Sequence, residues 1–187
     1  TVILGKSGAG KTFFLNLLAL RGALEGYRVI GLDAFKNGQR VEVAAQGGAR
    51  CYALGFRQTI NILDIVYGED DWRPNQVQHV IGMLQLLLGT PGKSADGRDR
   101  LVPREFSIVE RGLLDRALTL LYAPLQPDTP LDQVPILSDL VTLLRDLGEV
   151  ESDALARQIH VFVDRTSVGP SFNGHTTVDW QFGSDIT

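Results

Sequence analysis

The chain has 187 residues, 44% of them apolar, enough for one globular domain with a real core. A net charge of −4 and a pI near 5.3 argue against a dominant nucleic-acid or membrane-surface role, because such surfaces need an excess of Lys and Arg. The sequence has no apolar run of bilayer length, and its apolar start is too soon broken by glycines for a signal peptide. The expectation is a soluble, cytoplasmic chain that meets a membrane only through a partner.

Thr1 to Leu4 is a β-branched and apolar run cut by Gly5, which reads as a buried strand. From Lys11 the period changes: Phe14, Leu17, Leu18 and Leu24 recur at helical spacing, with Gly26 as the stop. Between strand and helix, Gly5-Lys6-Ser7-Gly8-Ala9-Gly10-Lys11-Thr12 fits G-x-x-x-x-G-K-[ST] at every fixed position. Glycines there let the backbone wrap a phosphate, so N–H groups from about Gly8 to Thr12 point at it, and the helix N-terminus adds partial positive charge. Lys11 reaches the β and γ phosphates and the Thr12 hydroxyl ligates Mg²⁺. A dinucleotide fingerprint fails because Phe13 stands where its third glycine belongs. A hydrolase elbow fails because Ala9 replaces its second glycine.

Arg28–Asp33 and Arg50–Gly55 read as second and third buried strands. Strand, helix, strand in that order implies an α/β fold with mainly parallel strands and right-handed crossovers. Residues 74–165 are mainly helical. One apolar face runs through Val77, Val80, Ile81, Leu84 and Leu87, and another through Val109, Leu113, Ala117, Leu120 and Leu121. A third joins Leu137, Leu140, Val141, Leu144 and Leu147. The Pro-, Gly- and Asp-rich stretches at 90–100 and 123–135 read as surface loops.

Cys51 is the only cysteine and reads as a small core hydrophobe, while His79, His160 and His175 lack metal-ligand spacing. The acids of Gly68–Trp72 read as a solvated loop, and Trp72 and Trp180 as packing residues. Hydrolysis also needs a strand-end carboxylate to hold Mg²⁺ through water. Asp164 ends "IHVFVD", which reads either as a strand or as the end of a helix from Ser152 through Leu155, Ile159 and Phe162. The helical stripe accounts for more residues. Asp33, at the end of the second strand, is a weaker candidate and also a common turn former.

Five segments in order resemble the ATPases of type IV secretion and conjugative DNA transfer, in the HerA/FtsK branch of P-loop motors. They are "GKSGAGKTFF", "VIGLD", "LGFRQTINILDI", "VPILSDLVTLL" and "FNGHTTVDW". The resemblance implies a RecA-like P-loop NTPase core with a helical insertion, binding ATP with Mg²⁺. It implies a homo-oligomeric ring, a hexamer, that powers assembly or substrate transfer with secretion-channel proteins at the bacterial inner membrane. It supports Gly8, Gly10, Lys11 and Thr12 as phosphate and magnesium contacts beside Gly5, with Ser7, Ala9 and Phe13 as neighbours. Lys11 and Thr12 are then the catalytic pair and Thr12 the metal ligand.

Two departures stand out. "AFKNGQRVEV" follows Asp33 where the family has an acidic, Tyr-containing segment, and the chain stops at Thr187, before the position of the family's second magnesium carboxylate. The chain therefore reads as one incomplete motor domain over 1–187, with a phosphate loop at 5–12 and an FNG loop at 172–180. It is expected to bind nucleotide better than it hydrolyses it. A double-stranded DNA translocase would need a basic pore loop, and the residues 92–100 mix signs. A small metabolite kinase would need a lid of arginines, for which Arg98, Arg100 and Arg104 are the candidates. A nucleotide-gated scaffold without turnover is the fourth reading.

Overall fold

The computed structural model describes residues 10–26, 58–66, 71–93, 97, 99–164 and 169–177, leaving aside the side chains of residues 11, 12, 23, 169 and 170. The chain divides into two compact units, one of Thr1–Tyr52 with Trp180–Thr187 and one of Ala53–Asp179. In the first, the described element is α1 (Lys11–Leu24). It starts where the change of period places it and runs out at Gly26, whose φ is +82°. Phe14, Leu17, Leu18 and Leu24 are all exposed on it. The strands expected at 1–4, 28–33 and 50–55 lie outside the described residues, and so do Asp33, Cys51 and Trp180.

The second unit contains α2 (Trp72–Leu87), β1 (Thr90–Lys93), β2 (Asp99–Val102), α3 (Ile108–Tyr122), a 3-10 turn (Leu131–Gln133), α4 (Leu137–Asp146), α5 (Val150–His160) and α6 (Gly169–Phe172). Helix α3 packs against α2, α4 and α5, and α4 packs along α5. The expected faces of α2 and α4 are the ones that pack: Val77, Val80, Ile81 and Leu84 on one, Leu137, Leu140, Val141 and Leu144 on the other, are all buried. On α3 the phase differs. Leu113, Leu114, Ala117, Leu118 and Tyr122 are buried, whereas Val109 and Leu120 are half exposed. This helix has apolar residues around most of its circumference, so spacing alone does not choose the inner face.

A further reading is corrected. The stretch 90–100 is not all loop: Thr90–Lys93 pairs antiparallel with Asp99–Val102, Thr90 facing Val102 and Lys93 facing Asp99. Arg100 lies on β2, and Arg104 beyond it is held by Glu110 and Gln158 and stacks over Phe106. Arg100 and Arg104 thus do not lie in one loop, and Arg98 is outside the described residues. Of the two readings of "IHVFVD", the structure has the helical one: α5 continues through His160, residues 161–163 turn, and Asp164 sits exposed beyond them. Among the described residues the sheet is this two-stranded antiparallel one; the strands expected to run parallel lie outside them.

Helix α3 carries a full capping box. The Ser107 hydroxyl accepts from Glu110 N–H (3.2 Å) and the Glu110 carboxylate accepts from Ser107 N–H (2.9 Å). Helix α4 starts after Ile136, whose side chain accepts nothing; only half a box is made, by Asp139 accepting from Ile136 N–H at 2.8 Å. The remaining cap comes from far along the chain.

Candidate functional site

The phosphate-binding turn is described from Gly10 onward; Gly5, Ser7, Gly8 and Ala9 lie outside the described residues. Gly10 has φ +78°, a left-handed conformation that suits glycine, immediately before α1. Lys11 and Thr12 are the first two residues of that helix, and Phe13, 75% exposed, is the third. The first intrahelical bond runs from Phe14 N–H to Gly10 O at 2.9 Å. The N–H groups before it have no partner within the helix, and the first turn carries no acidic residue to compete with an anion. These features fit a bound phosphate. Among the described residues no group of three or more His, Cys, Asp or Glu could hold a metal ion.

A second polar cluster lies in the second unit, where three of the resemblance segments meet. Residues 58–64 run beside 171–177. Ile60 N–H donates to Ser171 O (2.9 Å), Thr177 N–H to Thr59 O (3.0 Å), and Thr59 N–H to the Thr177 hydroxyl (3.0 Å). Asn61, 3% exposed, donates its backbone N–H to the Thr176 hydroxyl (2.7 Å) and its side-chain amide to Pro135 O (2.9 Å), while its amide oxygen accepts from Leu63 N–H (3.0 Å). Asn173 supplies the missing cap: its amide oxygen accepts from Ser138 N–H (3.0 Å) in the first turn of α4, and its NH₂ donates to Val163 O (3.3 Å).

Asp64 sits at the heart of this seam. Burial is the largest influence on its carboxyl and holds it above the ordinary carboxylate value; hydrogen bonds from Thr176 and Asn61 and the nearby His175 pull the other way. One of its oxygens, Oδ1, is buried without a hydrogen-bond partner, as is Oε1 of Gln58. The backbone around it is fixed from below by Gln76, fully buried on α2. Its amide oxygen accepts from Val66 N–H (3.0 Å) and its NH₂ donates to Asp64 O (2.8 Å) and Tyr122 Oη (3.2 Å). Tyr122 in turn donates to Leu63 O (2.8 Å). Its ring meets Trp72 edge-on at 5.8 Å, so Trp72 is a core residue.

The "IN-x-LD", "P-x-LSDL" and "FNG" segments are visible in the sequence as separate words; what it does not display is that Asn61, Pro135, Ser138 and Asn173 join them. Gln76 and Tyr122 were missed as polar members because both fall on apolar helices. A buried Gln among apolar neighbours is the one signal that could have pointed to the network.

No family model matches the chain, and no curated protein matches it in sequence. A solved structure does. The fold is similar to that of VirB4 of Thermoanaerobacter pseudethanolicus. The TM-score is 0.73 at 21% identity, over 94% of this chain and 45% of the VirB4 chain. This chain thus spans less than half of VirB4, and at that identity the likeness is one of fold. Among the described residues no helix is long and apolar enough to cross a membrane.

Proposed function

We propose that the chain is the nucleotide-binding part of a motor ATPase of the type IV secretion kind. The observation that carries the reading is G-x-x-x-x-G-K-T running directly into α1 through Gly10 at positive φ. The VirB4-like fold and the resemblance of five segments to secretion ATPases support it. In this reading Gly5, Ser7, Gly8, Ala9, Gly10 and Phe13 shape the cradle. Lys11 neutralises charge on the β and γ phosphates of ATP, and Thr12 ligates Mg²⁺. The whole protein works as a homo-oligomeric ring, a hexamer, against secretion-channel proteins at the inner face of a bacterial membrane. ATP hydrolysis there energises assembly or substrate transfer. The hydrolytic carboxylate is not assigned within this chain.

The test is titration of a fluorescent ATP analogue with Mg²⁺ into the chain and into Lys11→Ala, with hydrolysis recorded on both. Saturable binding lost in Lys11→Ala, with turnover near background, is the expected result. Turnover that depends on Lys11 and is stimulated by duplex DNA would move the reading to a DNA translocase. Stimulation by a small phosphate acceptor would move it to a kinase. Absence of binding by a chain that melts cooperatively would sink the reading.

A further inference from the structure

The 58–66 and 171–177 segments are joined by short-range polar contacts and have a carboxylate between them. The Thr176 hydroxyl is used twice, accepting from Asn61 N–H at 2.7 Å and bonding Asp64 through its hydrogen. Asp64 Oδ1 is out of water and has no donor. A buried acceptor without a donor costs free energy, more so when it carries charge. With no donor on Oδ1, the carboxyl is costlier to bury charged than neutral.

From this geometry we infer that Asp64 is a proton-operated latch: in its neutral form it holds the 171–177 segment closed on 58–66, and on ionising it loosens that seam. The groups facing it are few among the described residues. His175 comes from the 171–177 segment itself, and its positive form favours the charged carboxylate. Tyr122 faces it from α3 and is neutral; α2 contributes the uncharged Gln76. Thr176 and Asn61 donate to the carboxyl and favour its charged form, as His175 does. Burial outweighs these donors, so the sign is set. The folded state binds the Asp64 proton more tightly than the unfolded chain does, and the seam is tightest below the ordinary carboxylate value of 3.8 and weakens as pH rises through the raised one. Because Asn173 in the same segment caps α4 and reaches the end of α5 at Val163, loosening also releases the cap.

Hydrogen exchange of the full chain from about pH 4 to about pH 7.5, corrected for intrinsic rates, reads the latch at the Thr59, Asn61 and Thr177 amides. The expected result is a progressive loss of protection there as pH rises, while α4 core amides hold. In Asp64→Asn, a neutral mimic, that pH dependence should vanish; in His175→Gln it should persist with its midpoint moved to higher pH. An equal slope in wild type and Asp64→Asn, or protection that grows with pH, overturns the proposal. If Asp64→Asn does not fold, the carboxyl carbon shift of Asp64 in the wild-type chain decides. Titration at or below the ordinary carboxylate value would also overturn the latch.

Discussion

Asn173 Oδ1 accepts the backbone N–H of Ser138 at 3.0 Å, so a residue 35 positions downstream caps α4. Asn173→Ala should remove this cap and the bond to Val163 O together, lowering stability by about 1–2 kcal/mol. Asn173→Asp keeps the acceptor and loses the donor, and its loss should fall between wild type and alanine. Urea unfolding followed by helical circular dichroism measures both.

Tyr122→Phe leaves the ring against Trp72 but strips the hydroxyl from Leu63 O and Gln76 Nε2. Two buried polar groups lose a partner, and the expected cost is about 1–3 kcal/mol, or a melting temperature lower by roughly 2–10 °C. A melt within a degree of wild type would show that the network is slack.

The same hydroxyl sets the alkaline limit. Burial is the main cause that raises the Tyr122 ionisation well above its ordinary value of 10.0, with Asp64 adding to it and the Gln76 bond opposing it. A raised folded value means that the stability Tyr122 contributes is whole below about pH 10 and is lost progressively above it. In an ultraviolet titration, one tyrosine should ionise only as the chain unfolds, and in Tyr122→Phe that late step should be missing.

Gly89 separates α2 from the hairpin, and a Cβ there would lie 2.7 Å from Val102 O and 3.0 Å from Leu86 O. Both are backbone atoms, which cannot swing aside. Gly89→Ala should destabilise the second unit by about 1–3 kcal/mol. Thermal unfolding of the variant is the check, and Gly112→Ala, at a helical site with open space, is the control that should hold or gain stability.

Gly10 poses the opposite case: a Cβ there would meet nothing within 4 Å, so strain alone is at issue, because φ is +78°. Gly10→Ala should cost about 1–2 kcal/mol of local backbone energy. Under the nucleotide-binding reading it lowers affinity for the ATP analogue and leaves the melt of the second unit unmoved.

The helical bundle was largely legible because α2 and α4 each put one apolar stripe inward. The phase of α3 was not legible, since Val109, Leu113, Leu114, Ala117, Leu118, Leu120 and Leu121 offer more than one apolar face and tertiary packing chooses among them. The hairpin gave no signal because its strands are four residues each and mostly exposed, with no alternation to read. The phosphate turn is pure local pattern. The Asp64 seam depends on pairings across more than a hundred positions, and no local window contains it.

Thr59 and Thr177 are 118 positions apart in sequence yet exchange backbone and hydroxyl hydrogen bonds of 3.0 Å. Within the second unit, the described stretches nearest its two ends therefore lie side by side. Ends that close together suit a circular permutation. A circular permutant that joins 177 to 59 by a short linker and opens new termini at the exposed Pro127–Asp128 turn should keep the same helices, since the cut breaks none of them.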